Sequence, residues 1–365
     1  MKILIIGPFS PPVSGVSVAN DTLFAELNKR HDLDSINFSY PSLNENLGKF
    51  SFKKLAFSIK LYFKAFKVIK SDCVYMTPGQ TYFGILKYAP FILLSKWFGK
   101  KTLVHIHGNH VWRQYELLRG SRKTVYKKLF SMFDQGIVLS ESLRKNLEPF
   151  LPDNNIHVVY NFVEEEILTE LNYLKIEEKL TSELRLLFLS NLMKEKGILD
   201  FLQALIILKK REIRFKAIIA GDIDSDSKES INRMFDELGE DYLTYEGVVR
   251  GKQKIKLLKD ANVFVFPTYY AMEGQPISLL EAMAAGNIVL TTEHAGIPDI
   301  FVPGKNGYYV KKKNPEDIAS KLVKLESALT DHRSMMAENH KQIGEFYTSK
   351  RFSENIEEIL LTCKI

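Results

Sequence analysis

Along most of the chain, short apolar runs alternate with longer stretches whose apolar residues recur every three to four positions. KILIIG (2–7), CVYMT (73–77), TLVHIHG (102–108), QGIVLS (135–140) and IHVVYN (156–161) have the length and two-sided apolar character of strands buried on both faces. The pattern then restarts with LRLLFLS (184–190), FKAIIAG (215–221), LTYEGVV (243–249), VFVFPT (263–268), NIVLTT (287–292) and GYYVKK (307–312). Such alternation predicts an α/β protein with helices on both faces of parallel sheets. Between the two sets, VEEEILTELNYLKIEEKLTSE (163–183) is polar and acid-rich, and reads as a connection plus the lead-in to a second domain. Two Rossmann-like domains facing one another are therefore expected, over residues 1–163 and 164–349. Ligands of such sheets bind beyond the carboxyl ends of the strands, which makes the cleft between domains the expected site. The closing KRFSENIEEILLTCKI (350–365) is an amphipathic helix with Phe352, Ile356, Ile359 and Leu360 on one side, able to pack back on the N-terminal domain or on the other.

A chain of 365 residues with 45% hydrophobic and 26% charged residues is globular and long enough for two cores. No apolar run approaches the roughly 20 residues of a membrane-spanning helix. The opening MKILIIGPFSPP is too short in apolar residues for a signal-peptide core. Cys73 and Cys363 are the only cysteines, which argues against a disulfide scaffold or zinc cluster and for a reducing cytoplasm. The net charge of +6 is unevenly spread: residues 51–130 carry 16 Lys and Arg against Asp72 and Glu116 alone. In FKKLAFSIKLYFKAFKVIK (52–70) the cations alternate with large apolar residues. A solvated lysine face is the plain reading, and contact with an anionic membrane surface through Lys60, Lys64, Lys67 and their neighbours is the one favoured here. No zinc, helix-turn-helix or RRM pattern accompanies the charge, so no nucleic-acid partner is expected.

The segment PTYYAMEGQPISLLEAMAAG (267–286) carries the most chemistry. A strand ends at Pro267, a loop holds Glu273 and Gly274, and Pro276 stands at the first helical position, where its missing N–H costs nothing. The helix runs about Ile277–Ala285 and stops at Gly286, a residue suited to a left-handed cap. Its free N–H groups suit an anion, and Gly274 lets a ligand approach the backbone. Glu281 lies about a turn in, among Leu279, Leu280, Ala282, Met283 and Ala284. A carboxylate so flanked needs a partner, and two neighbouring hydroxyls of a polyol would serve.

Glu273 and Glu281 are separated by seven residues, and EGQPISLLEAMAAG resembles the E-x7-E signature of retaining GT-B glycosyltransferases of family GT4. The resemblance extends over FLSNLMKEKGILDFLQAL (188–205), AGD (220–222), TTEHAGIPDIFVPGKNGYYV (291–310), GPFSPPVSGVSVAN (7–20), HIHGN (105–109) and VVYNFV (158–163), in order along nearly the whole chain. It implies the GT-B fold and transfer of a sugar, with retention and without a metal. The donor would be a nucleotide-sugar, a UDP-sugar ahead of a GDP-sugar, bound as substrate with no further cofactor. A glycan or lipid-linked sugar would accept. It further implies that Glu281 holds ribose hydroxyls, and that Glu273 with the backbone of Gly274, Gln275, Pro276 and Ile277 holds the donor sugar. Lys196 would neutralise the diphosphate, Val248, Val249 and Arg250 would line the base, Gly15 would admit the phosphates, and His107 would sit at the reacting sugar. Capsule, O-antigen or exopolysaccharide assembly at the inner face of the cell membrane is the expected setting.

One position departs from the family. Ser190-Asn191-Leu192 stands where Gly-Arg-Leu is usual, so a second phosphate cation is missing at Asn191. His107 also has the reading of a core histidine. His105 alternates with it along the strand, which places one of the two rings on the opposite side, and His110 is expected at the surface. Asp222, Asp224 and Asp226 lack the Gly and Glu of a calcium loop and read as a solvated turn. Another GT-B activity, such as nucleotide-sugar epimerisation, is the alternative; a nicotinamide oxidoreductase lacks its G-x-G-x-x-G. Nothing in the sequence sets the oligomeric state.

Overall fold

The computed structural model describes residues 1–39, 61–181 and 183–362. Lys60, Cys363 and the part of the basic stretch over 51–60 lie outside the described residues. The chain divides into two compact units: Met1–Asn161 with Met272–Gln275 and Ser349–Ile365, and Phe162–Ala271 with Pro276–Thr348.

In the first unit, six strands among the described residues form one parallel sheet: β1 (Lys2–Gly7), β2 (Asp32–Asn37), β3 (Cys73–Met76), β4 (Lys101–Ile106), β5 (Gln135–Val138) and β6 (Ile156–Val158). Their order is β2-β1-β3-β4-β5-β6. Ile3 to Ile6 and Val74 to Met76 are fully buried, as strands covered by helices on both faces require. β2 (DLDSIN) is the strand that periodicity does not reveal. It lies at the sheet edge with only Ile36 buried, so nothing demands a continuous apolar run. Strand order reverses between β1 and β3, the switch point where such sheets bind ligands. The chain is drawn tight there: a Cβ on Gly7 would stand 1.9 Å from Thr77 Oγ1. Helix Gly15–Leu27 follows, its first turn closed by a capping box of Ser14 and Ser17. Helix Ser349–Thr362 packs along it and buries Phe352, Ile356, Ile359 and Leu360. The seam ends in Glu357, which pairs with His31 at 2.6 Å and Arg30 at 2.7 Å.

The second unit repeats the plan with β7 (Leu184–Leu189), β8 (Phe215–Ala220), β9 (Leu243–Tyr245), β10 (Val263–Phe266), β11 (Ile288–Thr291) and β12 (Gly307–Tyr309). The parallel order is β12-β11-β10-β7-β8-β9, so its switch point lies between β7 and β10. The acid-rich lead-in is ordered as helix Glu165–Leu171 and a 3-10 turn at Ile176–Lys179. Lys179 is 1% exposed. Its ammonium donates to the carbonyls of Leu258 and Lys259 and to Asn287 Oδ1, each at 2.9 Å, and to the Ala261 carbonyl. It thereby closes the C-terminal end of helix Gly251–Asp260, whose last carbonyls would otherwise be orphaned. Burial draws the pKa of Lys179 down to about 7.

Candidate functional site

On the second unit, the implied donor-binding residues sit at the carboxyl ends of the strands. β7 runs out through Ser190 and Asn191 into a 3-10 turn, Lys194–Lys196. Gly197 follows with φ of +84°, and a Cβ there would meet the Pro267 carbonyl oxygen at 2.5 Å. Only glycine permits this approach, and it places Lys196 beside the end of β10. The Lys196 ammonium lies 4.9 Å from the Tyr270 ring centre and 5.4 Å from that of Phe266. Asn191 and Lys194 are exposed on the same turn. Val248 and Arg250 are exposed and Val249 is buried, in the loop leading into helix Gly251–Asp260.

Helix Ile277–Ala284 begins at the residue read from sequence, with Pro276 just before it. Pro276 has φ −70° and ψ 119°, an extended cap rather than a first helical residue. Gly286 takes φ of +67° and ends the helix as read from sequence. Glu281 is 3% exposed. The partner that its burial demands is one the sequence reading missed: Lys254 Nζ stands 2.7 Å from Glu281 Oε1 and 3.6 Å from Glu164. No local pattern could flag Lys254, which lies 27 positions away and meets Glu281 only through helix packing. Burial raises the Glu281 pKa and Glu164 adds to this, while Lys254 pulls it back; the Lys254 ammonium itself is stabilised by both carboxylates.

In the first unit, Met272–Gln275 rest against the chain just beyond β4 and β5. Gln275 accepts from the Asn161 backbone N–H at 2.6 Å and donates to the Leu139 carbonyl at 3.2 Å, and its own carbonyl accepts from Asn161 Nδ2 at 2.8 Å. A Cβ on Gly274 would stand 2.3 Å from the His107 carbonyl oxygen. Glycine is thus needed at 274 for the protein's own backbone. Glu273 is 7% exposed in the same loop.

His105 and His107 do not point to opposite sides. Their ring centres are 4.0 Å apart at an interplanar angle of 31°. Residues two apart in an extended chain share a face, which is the physical reason for the correction. His105 Nδ1 lies 2.6 Å from Tyr75 Oη, whereas Nε2 of His105 and of His107 is buried without a partner among the described residues. Burial lowers the pKa of His105 well below its usual value, with a further push from His107, and brings His107 to about 3. Both rings are therefore neutral at physiological pH. His110 is half-buried rather than fully at the surface, and its Nδ1 is also unpartnered among the described residues. Gly15 is exposed as the first residue of its helix.

Among the described residues no three His, Cys, Asp or Glu side chains stand where they could share a metal ion. No helix there is long and apolar enough to cross a membrane. Two open hollows, of about 490 Å³ beside Tyr115 and Lys123 and about 390 Å³ beside Tyr309 and Lys312, are lined by none of the predicted site residues.

Residues 172–343 match the family described as "Glycosyl transferases group 1". An uncharacterized glycosyltransferase of Methanocaldococcus jannaschii, MJ1069, is 25% identical over 74% of this chain and 70% of its own length. The amylovoran biosynthesis glycosyltransferase AmsK of Erwinia amylovora is 28% identical over 64% of this chain but only 56% of its own length. For the capsular polysaccharide biosynthesis glycosyltransferase CapM of Staphylococcus aureus the figures are 27%, 53% and 51%. Among solved structures, Anabaena HepE in complex with UDP superposes with a TM-score of 0.74 over 99% of this chain and all of its own, at 14% identity. Sucrose-phosphate synthase of Thermosynechococcus elongatus gives a TM-score of 0.75 over 99% and 98%, at 16% identity. At such identities the likeness is one of fold. Residues 172–343 are thus similar to the glycosyl transferases group 1 family, in a chain whose two parallel sheets have the fold of GT-B enzymes.

Proposed function

We propose that the protein is a retaining, metal-independent glycosyltransferase that moves a sugar from a nucleotide-sugar, a UDP-sugar in preference to a GDP-sugar, to a glycan or lipid-linked acceptor in the assembly of capsule, O-antigen or exopolysaccharide. The observation that carries this reading is that the strands flanking the second unit's switch point lead into Lys196, on the turn after β7, and into the helix of buried, ion-paired Glu281 after β10, both inside the matched family stretch. The solved HepE structures hold UDP and UDP-glucose, and AmsK and CapM are named for amylovoran and capsular polysaccharide biosynthesis, which supports the donor and the pathway.

On the second unit, Glu281 accepts from ribose hydroxyls, Val248 to Arg250 face the base, and Lys196 with the N–H groups at the start of helix Ile277–Ala284 stabilises the departing diphosphate. Asn191 offers a neutral hydrogen bond where a second cation would strengthen that grip. On the first unit, Gly15 admits the phosphates, Glu273 accepts from sugar hydroxyls, and neutral His107 exchanges a hydrogen bond with the sugar or acceptor. The acceptor hydroxyl oxygen bonds to the anomeric carbon as the bond to the diphosphate breaks, on the same face. The leaving phosphate oxygen takes the hydroxyl proton, so no protein nucleophile is consumed.

A membrane partner is supported by the first unit's surface. Phe63, Phe66, Ile69, Leu93, Trp97 and Phe98 are exposed, Trp97 at 84%, in a stretch that also holds Lys64, Lys70, Lys100 and Lys101. This suits a peripheral enzyme at the inner face of the cell membrane.

Thermal shift against UDP-, GDP- and ADP-sugars tests the donor, since the cognate one stabilises the native state by mass action. Absence of any shift would sink the reading. Proton NMR of the product's anomeric centre then tests retention, and an inverted product would overturn it.

A further inference from the structure

We propose that Lys254 is a positioning residue of the donor site, holding the Glu281 carboxylate ionised and correctly aimed so that nucleotide affinity depends on it. The inference rests on the reading of Glu281 as the ribose ligand and adds the group that makes that role possible.

Glu281 is surrounded on its own helix by buried Leu279, Leu280, Ala282, Met283 and Ala284. A lone carboxyl in such a place favours its protonated form. Protonation converts one of its acceptors into a donor, and a pair of neighbouring hydroxyls then loses a place to bond. Lys254 opposes this from 2.7 Å. The ammonium side chain is itself only 18% exposed, so the attraction is weakly screened. It occupies Oε1, which fixes the carboxylate plane in one orientation. Glu164, 3.6 Å from the same ammonium and 43% exposed, shares its charge from the wet side and opposes Glu281 as a like charge. Of the other elements against this helix, β10 (VFVF) and β11 (IVLT) carry no titratable residue, whereas helix Glu165–Leu171 brings Glu165, Glu166 and Glu170, the last paired with Lys259 at 3.4 Å, and helix Arg333–Phe346 brings Arg333, Glu338, Lys341, Glu345 and His340, whose ring bonds the Ala284 carbonyl at 2.6 Å.

The test measures UDP, GDP and ADP affinity by calorimetry between pH 6 and 8.5, on the full chain. With the tightest of the three, Lys254→Met is expected to bind at least tenfold more weakly at pH 7.5, with the loss growing as pH falls. Wild type and Lys254→Arg are expected to stay together across the range. Glu281→Gln and the matching 2′-deoxynucleotide report on the underlying reading. If Glu281→Gln and the deoxynucleotide weaken binding but Lys254→Met does not, Lys254 has no positioning role and the inference falls alone. If neither weakens it, or none of the three nucleotides binds, Glu281 is not the ribose ligand and both fall. Should Lys254→Met not fold, Lys254→Gln takes its place with the same expectation, since it retains a donor but no charge.

Discussion

Gly274 and His107 touch through their backbones: a Cβ added at 274 would lie 2.3 Å from the His107 carbonyl oxygen and 2.9 Å from its carbonyl carbon. No side-chain rotation relieves such a clash, because the obstacle is main chain. Gly274→Ala is therefore expected to displace the loop carrying Glu273 and to lower kcat/KM by more than tenfold, out of proportion to any change in Tm. Steady-state kinetics beside thermal melts check this. Equal kinetics in a folded variant would mean that the loop position is irrelevant to turnover.

Lys196 carries the one cation that the proposed function assigns to the diphosphate. Its removal in Lys196→Met is expected to lower kcat by about 10²–10³, by analogy with losing one preorganised donor to a developing negative charge. Measured at saturating donor, a fall in kcat separates charge stabilisation from mere binding. A change confined to KM would assign Lys196 to ground-state affinity only.

Lys179 satisfies three carbonyls near the end of helix Gly251–Asp260 from a position 1% exposed. Lys179→Met leaves those acceptors buried and unpaired, which costs roughly 1–3 kcal/mol per group before relaxation. A drop in stability of about 2–4 kcal/mol is expected in urea unfolding. The folded pKa of about 7 lies below the unfolded value near 10.5, so this group's contribution grows as pH rises from 7 towards 10.5.

The adjacent buried rings of His105 and His107 set an acid limit. An unfolded histidine takes up its proton near pH 6.5, whereas burial holds folded His107 to about 3. Between those values the unfolded chain binds more protons. Stability is then full above about pH 6.5 and declines as pH falls towards 3, by up to about 1.4 kcal/mol per unit for each such ring. Urea unfolding as a function of pH should show a shallower acid decline in His107→Gln than in the wild type. An identical slope would mean that His107 protonates without cost.

Membrane attachment is expected to need both the apolar and the basic parts of the first unit's surface. Co-sedimentation with vesicles containing anionic lipid should fall with salt. It should fall further in Trp97→Ala with Leu93→Ala, or in Lys64→Glu with Lys70→Glu. Lys67 is a poorer choice than its sequence position suggests, because it is tied to Asp34 and to the Ser35 carbonyl. Binding unchanged by all four substitutions would locate the attachment elsewhere.

Sheet architecture is legible where strands are covered on both faces, because burial forces runs such as KILIIG and VFVF. β2 is not legible, since an edge strand with Asp32, Asp34 and Ser35 carries no such signature. In the site, Glu281 declares itself through its apolar neighbours, and Gly286 through its place after a helix. Lys254 stays silent because its pairing with Glu281 is purely tertiary. The carbonyl that crowds Gly274 is equally silent, because it belongs to His107, far away in sequence.

The chain leaves its first unit at Asn161, touches it again at Met272–Gln275 and returns for good at Ser349, and the returning helix packs on Gly15–Leu27. During synthesis, the half that emerges earliest must wait for nearly everything else before its flank is sealed. Trimming back to residue 348 would uncover the partners of Phe352 and Ile356 and strip His31 of Glu357. Quality of the part made first is thus underwritten by the part made last, and a prematurely stopped product betrays itself through an open greasy seam.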